Sequence, residues 1–238
     1  MRQLSIVSIA GLLGASCAFS AAAQSGEEGM SPFSAIDAYL TYTALESEVS
    51  AQGVDDSDIG AGMRLRMGLG SLFFVEGAFQ SVNIDNAEQR DGTTPEGSSR
   101  RLREQYFDGG IRYSFGENDV ITPFLSVGNF DSEVRIIGVS GATADESSSS
   151  ISYRGGVNWV VIPNLHVAAT YRLANDFDFG ELEEILGSVA FQISNSFAVI
   201  GEYRMAEYDL DEGGDYTADD IRLGFRYSFR GPQSDPFY

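Results

Sequence analysis

The chain is 238 residues long and strongly acidic, with 35 Asp and Glu against 15 Arg, no Lys, and a formal charge of −20. So few cations exclude a nucleic-acid binder, which needs basic residues gathered in a patch against phosphate. A single cysteine excludes a disulfide framework, and no run of about 18 apolar residues is present to form a spanning helix.

The chain opens as a secretory signal. Arg2 supplies the positive start, Leu4 to Ala15 the apolar stretch, and Ala21-Ala22-Ala23 a small-residue cleavage site before Gln24. The apolar stretch is too short for a spanning helix and is soon followed by Ser and Gly. A lipidation motif at Cys17 would want a Leu-like residue three places earlier, where Gly14 stands. Cleavage after Ala23 removes Cys17, and thiol chemistry with it. A short N-terminal segment, 24–33, leads into a single β-domain expected over 34–229, followed by a tail, 230–238.

Within 34–229 the pattern has period two, as expected where alternate side chains face opposite sides of a sheet. Ten alternating segments are predicted: Ser34–Ser47, Ser57–Leu69, Leu72–Asn83, Arg101–Phe115, Val120–Arg135, Ile151–Val161, Leu165–Ala174, Glu183–Ile193, Phe197–Asp209 and Asp219–Phe229. The alternative is eight, with two of the weaker segments being loop. Most reach the ~9–11 residues that a tilted strand needs to cross a bilayer. The connections alternate in length. Gly70-Ser71, Gly116–Asp119, Ile162-Pro163-Asn164 and Ser194-Asn195-Ser196 have turn chemistry, whereas Glu48–Asp56, Ile84–Arg100, Ile136–Ser150, Asn175–Leu182 and Leu210–Ala218 read as long polar loops. Short turns at one end and long loops at the other describe a closed antiparallel up-and-down transmembrane β-barrel with its turns in the periplasm. An even strand count also leaves both ends of the barrel on the turn side.

Energy sets the register. One parity holds Ile59, Ala61, Met63, Leu65 and Met67, then Ile151, Tyr153, Val157, Trp159 and Val161, then Leu165, Val167, Tyr171 and Leu173. The other holds Arg64, Arg66, Arg112, Arg154, Arg172, Arg204, Arg222 and Arg226. A slip of one residue turns these arginines to lipid, at ~2–4 kcal/mol for each near the midplane. The arginines are therefore expected inside, paired with Asp37, Glu76, Asp108, Glu184, Glu202 and Asp220 of the same parity. Gly60, Gly62, Gly68, Gly110, Gly128, Gly156 and Gly224 share that side and leave room for long neighbours. Inward Tyr39, Phe74 and Phe124 are expected to plug the lumen. Outward aromatics fall into two groups, Tyr113, Phe115, Trp159, Phe197, Tyr227 and Phe229 near the turns, and Tyr42, Phe79, Phe107, Tyr153, Tyr171 and Tyr203 nearer the loops, as at the two interfaces of a membrane.

The last segment is the sharpest, with Ile221, Leu223, Phe225, Tyr227 and Phe229 on one side and Asp220, Arg222, Gly224, Arg226 and Ser228 on the other. With the barrel pattern, it resembles small outer-membrane β-barrel proteins of Gram-negative bacteria, the group that includes opacity-type surface proteins. Arg222-x-Gly224-x-x-Tyr227-x-Phe229 is similar to the signal read by the barrel-assembly machinery in that group, which implies that machinery as a partner during biogenesis. Gly110-Ile111-Arg112-Tyr113-Ser114-Phe115 nearly repeats Gly224 to Phe229. Members commonly end on the aromatic of the signal, whereas Arg230 to Tyr238 follow here; either the tail hangs in the periplasm or Tyr238 supplies the terminal aromatic. The resemblance implies the bacterial outer membrane as location, with its lipids and lipopolysaccharide as surroundings.

Enzymes on similar barrels, such as omptin-type proteases and acyl enzymes acting on lipid A, work near the extracellular end with a histidine as acid–base. The only histidine here, His166, is expected at the periplasmic end of its strand, so no catalytic residue is assigned. No cofactor-binding or metal-ligating residue is assigned either. Asp55, Asp56 and Asp58, then Asp85, Glu88, Asp91 and Glu96, then Asp209, Asp211, Glu212 and Asp215 read as solvated acidic loops that could meet divalent cations. Ser147 to Ser150 reads as mobile loop. The expected role is structural or surface-facing; a narrow channel is the alternative, a hydrolase a third reading, and a soluble periplasmic barrel a fourth.

Overall fold

The structure, a computed structural model, describes residues 33–47, 55–85, 99–115, 120–137, 143–177, 180–210 and 216–229. It consists of ten antiparallel strands: β1 (Ser34–Ser47), β2 (Asp55–Leu69), β3 (Phe73–Asp85), β4 (Ser99–Arg112), β5 (Ile121–Ile137), β6 (Thr143–Ile162), β7 (Leu165–Phe177), β8 (Gly180–Gln192), β9 (Phe197–Leu210) and β10 (Tyr216–Ser228). Each strand pairs with its chain neighbours, and β10 closes on β1, so no sheet edge is left along the wall. The strand count is ten, not eight. The signal, residues 24–32, the Gly116–Asp119 turn and the 230–238 tail lie outside the described residues.

Stagger fixes the shape. The paired residues, followed once around the wall from Ser34 of β1, return to β1 at Glu46, twelve residues further along the strand. With a rise of ~3.3 Å per residue and strands ~4.8 Å apart, this stagger tilts the strands by about 40° and gives a wall radius of about 10 Å. Side chains can fill an interior of that width.

Polarity is inverted relative to a water-soluble sandwich. Leu40, Ile59, Leu125 and Leu223 are 63–65 % exposed, and Phe107, Tyr113, Tyr153, Trp159, Phe225 and other large apolar residues stand out with them. Arg172 and Arg204, each 1 % exposed, are among the most deeply buried side chains. The expected register holds in every strand.

Inward aromatics sit opposite glycines. Tyr39 faces Gly62 of β2 and Gly224 of β10, Phe74 faces Gly68 and Gly110, and Phe124 faces Gly156. A methyl on Gly62 would lie 2.4 Å from the Tyr39 ring, and one on Gly156 would lie 2.7 Å from the Phe124 ring. Outward Gly109 has nothing within 4 Å of such a methyl. Gly62→Ala is therefore expected to destabilise by ~1–3 kcal/mol through overpacking, and Gly109→Ala by less than ~0.5 kcal/mol, in urea unfolding from vesicles.

Several strands run further than the sequence suggests. Strands β5 and β6 occupy all of Ile136–Ser150 except 138–142, so Ser147 to Ser150 belong to a strand and not to a mobile loop. Likewise Asn175–Leu182 shrinks to 178–179, Ile84–Arg100 to 86–98, Glu48–Asp56 to 48–54, and Leu210–Ala218 to 211–215. Asp55, Asp56 and Asp58 lie in β2, Asp85 ends β3, and Asp209 lies in β9. Towards the loops the outward face gives up its apolar residues for polar ones, so the contrast that marks a strand fades while the backbone ladder continues. At the other end β4 stops at Arg112 and Phe115 meets Ile121 through an isolated bridge. The first turn spans Gly70 to Leu72, with Gly70 at φ 72°, a left-handed conformation that suits glycine.

Candidate functional site

The interior is the chemically distinctive part of the molecule, and its layers follow the barrel axis. At the turn end, Phe33, Phe74 and Phe124 form an aromatic plug with ring centroids 5.0–5.8 Å apart. Phe33 belongs to the segment preceding β1, yet it is 1 % exposed. The Arg112 guanidinium lies 4.6 Å over its ring, with Arg66 at 5.5 Å. Such stacking suits a cation held in a narrow apolar mouth.

Ion pairs fill the middle. Arg226 donates to Asp37 at 2.7 and 2.9 Å, and Arg64 joins Asp37 to Glu202. Arg66 and Arg154 both donate to Glu76, which also accepts from the Tyr106 hydroxyl at 2.6 Å. Asp108 pairs with Arg154 at 3.2 Å and Arg172 at 3.1 Å, and Arg172 lies 3.8 Å over the Tyr106 ring. Nearer the loops, Arg204 gathers three carboxylates: Glu104 at 2.8 Å, Glu184 at 2.7 Å and Asp220 at 2.9 Å. Asp220 also accepts from Thr43, Gln80 and Arg222 at 2.6–3.1 Å. Several links cross the lumen between strands that are not neighbours, β2 to β9, β3 to β6, and β4 to β9. Charge-assisted bonds of this kind brace the wall from inside.

Above them Phe130, Ala174, Leu182, Ala206, Tyr208 and Ala218 form an apolar cluster, with Tyr106 packed against it. The cavity bounded by residues such as Arg64, Gln80, Tyr106, Arg172 and Arg204 is about 20 Å³, room for about one water.

All eight arginines and all six acids expected inside face the interior. The sequence reading missed Glu104, Gln80, Tyr106, Tyr208, Thr43 and Phe33. Glu104 carries the same even parity as Asp108 in a strand already recognised, so parity alone could have found it. Phe33 precedes the alternating stretch and carries no periodic signal.

His166 is the second residue of β7, half-buried, and its ladder partners are Val160 and Ala190. The structure thus brings neither an acid nor a nucleophile opposite it. Among the described residues no group of three or more His, Cys, Asp or Glu is arranged to hold a metal ion. Glu88, Asp91, Glu96, Asp211, Glu212 and Asp215 lie outside the described residues.

An apolar exterior around a closed, ion-paired interior defines an integral membrane β-barrel. Residues 10–229 match the model of the outer membrane protein beta-barrel domain, and the chain belongs to that family. It is a protein of the bacterial outer membrane. No curated protein matches it. Among solved structures, it is similar to the translocator domain of the autotransporter NalP from Neisseria meningitidis, at 11 % identity and a TM-score of 0.47, covering 94 % of this chain and 98 % of that one. It is also similar to Ail, the attachment invasion locus protein of Yersinia pestis, in complex with the heparin analogue sucrose octasulfate, at 11 % identity and 0.43, covering 82 % and 99 %. A third is the outer membrane protein OprG from Pseudomonas aeruginosa, at 9 % identity and 0.39, covering 86 % and 99 %.

Proposed function

We propose that this barrel has a structural or surface-interaction role and carries out no catalysis, its acidic extracellular side meeting lipopolysaccharide, divalent cations or another surface. The observation that carries this reading is the filled lumen. A solute path would have to pass the Phe33–Phe74–Phe124 plug, a cross-braced ionic layer and the Phe130 cluster in series. Open aqueous channels belong to barrels of ~16 strands, whereas ~8–10 strands are filled by their own side chains. Contact with the barrel-assembly machinery through Arg222-x-Gly224-x-x-Tyr227-x-Phe229 is part of the same proposal. It is supported by the motif's place in and just after the closing strand β10.

The refolded protein in a planar bilayer should show no discrete conductance steps. Steps altered by Arg64→Ala or Glu76→Ala would instead identify a narrow channel through the ionic layer and overturn the closed-lumen reading.

A further inference from the structure

Outward charges above the lipid-facing band are distributed unevenly around the wall. On β8 to β10 the outward positions nearer the loops than Ile185, Tyr203 and Ile221 include Glu183, Glu181, Glu207 and Asp219. Glu183 and Glu207 stand directly opposite each other in the ladder, a repulsive placement. The β3 to β5 side is different. Beyond Phe79, Phe107 and Val127 its outward positions carry Ser81 and Asn83, then Gln105, Arg103 and Arg101, then Asn129, Asp131 and Glu133. Of the arginines whose side chains are described, only Arg101 and Arg103 face outward.

Their surroundings leave these two cations incompletely matched. Asp131 is engaged by amides, accepting from Gln105 at 3.2 Å and Asn129 at 2.8 Å. Arg101 donates to the neutral Asn83 oxygen at 2.6 Å. Arg103 reaches Glu133 only at 3.5 Å, and its Nε, shielded from water, has no acceptor among the described residues. Phe107, 63 % exposed, marks the loop-side aromatic group on the same strand. Four and six residues further along a strand tilted by ~40°, Arg103 and Arg101 stand about 10 and 15 Å above it, on the headgroup side of that aromatic band.

We infer that the outward face of β3–β5 binds the phosphate of an outer-leaflet lipid headgroup, through the guanidinium groups of Arg101 and Arg103. Guanidinium forks match phosphate oxygens with paired N–H donors. Asn83, Gln105 and Asn129 present amides to the rest of the headgroup. The carboxylate face of β8–β10 repels the same phosphate, so the lipid ring around the barrel is asymmetric. The inference does not depend on the surface role proposed above, since it concerns the outer wall at headgroup level.

The test is native mass spectrometry of the refolded mature chain in a neutral detergent, titrated with phosphatidate or phosphatidylcholine. The wild type should retain one phosphatidate at about tenfold lower lipid concentration than phosphatidylcholine, as expected of a charge-assisted contact. R101Q/R103Q should lose that preference, and E183Q/E207Q should keep it, with a heat-modifiability gel confirming that both variants fold. An unchanged preference in R101Q/R103Q overturns the inference. Displacement of the lipid by an equal concentration of inorganic phosphate also overturns it, since the face would then select a soluble anion. Should the double variant not fold, the wild-type preference must vanish between about 0.05 and 0.5 M NaCl; persistence overturns the proposal.

Discussion

Arg204→Ala is expected to lower stability by at least ~3 kcal/mol, because breaking a buried ion pair leaves its partner charged and desolvated. Here three partners are left at once, Glu104, Glu184 and Asp220. Asp220 retains Arg222, Gln80 and Thr43, but Glu104 loses its arginine and keeps the Tyr208 hydroxyl. Urea titration of the vesicle-embedded protein, followed by Trp159 fluorescence, measures the loss. Arg103→Ala makes the comparison. Its pair with Glu133 is about 30 % exposed on both sides, so it should cost no more than ~1 kcal/mol. Equal effects for the two substitutions would mean that the interior is wet and screened.

Leu223→Arg is expected to cost ~2–4 kcal/mol, the penalty of an arginine on the lipid side near the midplane. Leu223 is 64 % exposed and is flanked in the ladder by Leu40 and Gly201. In a water-soluble barrel the same change would be nearly neutral or would improve solubility, which makes its sign informative. Glu207→Arg, outward but above the lipid band, should stay within about 0.5 kcal/mol. Folding yield into vesicles and the urea midpoint both report the difference. A Leu223→Arg protein as stable as wild type would place that face in water.

The register was legible because two strong signals shared one parity. Arg222 and Arg226 alternate with Leu223 and Phe225, and an error of one residue would expose both cations to hydrocarbon. The interior charge network was legible in outline for the same reason. Its exact membership was not. Glu104 is flanked by outward Arg103 and Gln105, as polar as itself, so the contrast between the two faces fades there, and only Leu102 and Asp108 on its own parity mark it as inward while the backbone continues as β4. The upper half of β6 was lost in the same way. Ser147 to Ser150 have no apolar face, because that part of the wall has no hydrocarbon to meet. The cross-lumen partners of Arg204, drawn from β4, β8 and β10, depend on closure and stagger, which no local pattern encodes.

Trp159 offers the most direct test, since it is the only tryptophan and it faces outward from β6 at 49 % exposure. Its emission should be quenched strongly when the protein is refolded into bilayers whose acyl chains carry bromine, and only weakly by acrylamide in the surrounding water. Strong acrylamide quenching with no response to brominated chains would put that ring in solvent and contradict a lipid-wrapped wall around an ion-paired interior.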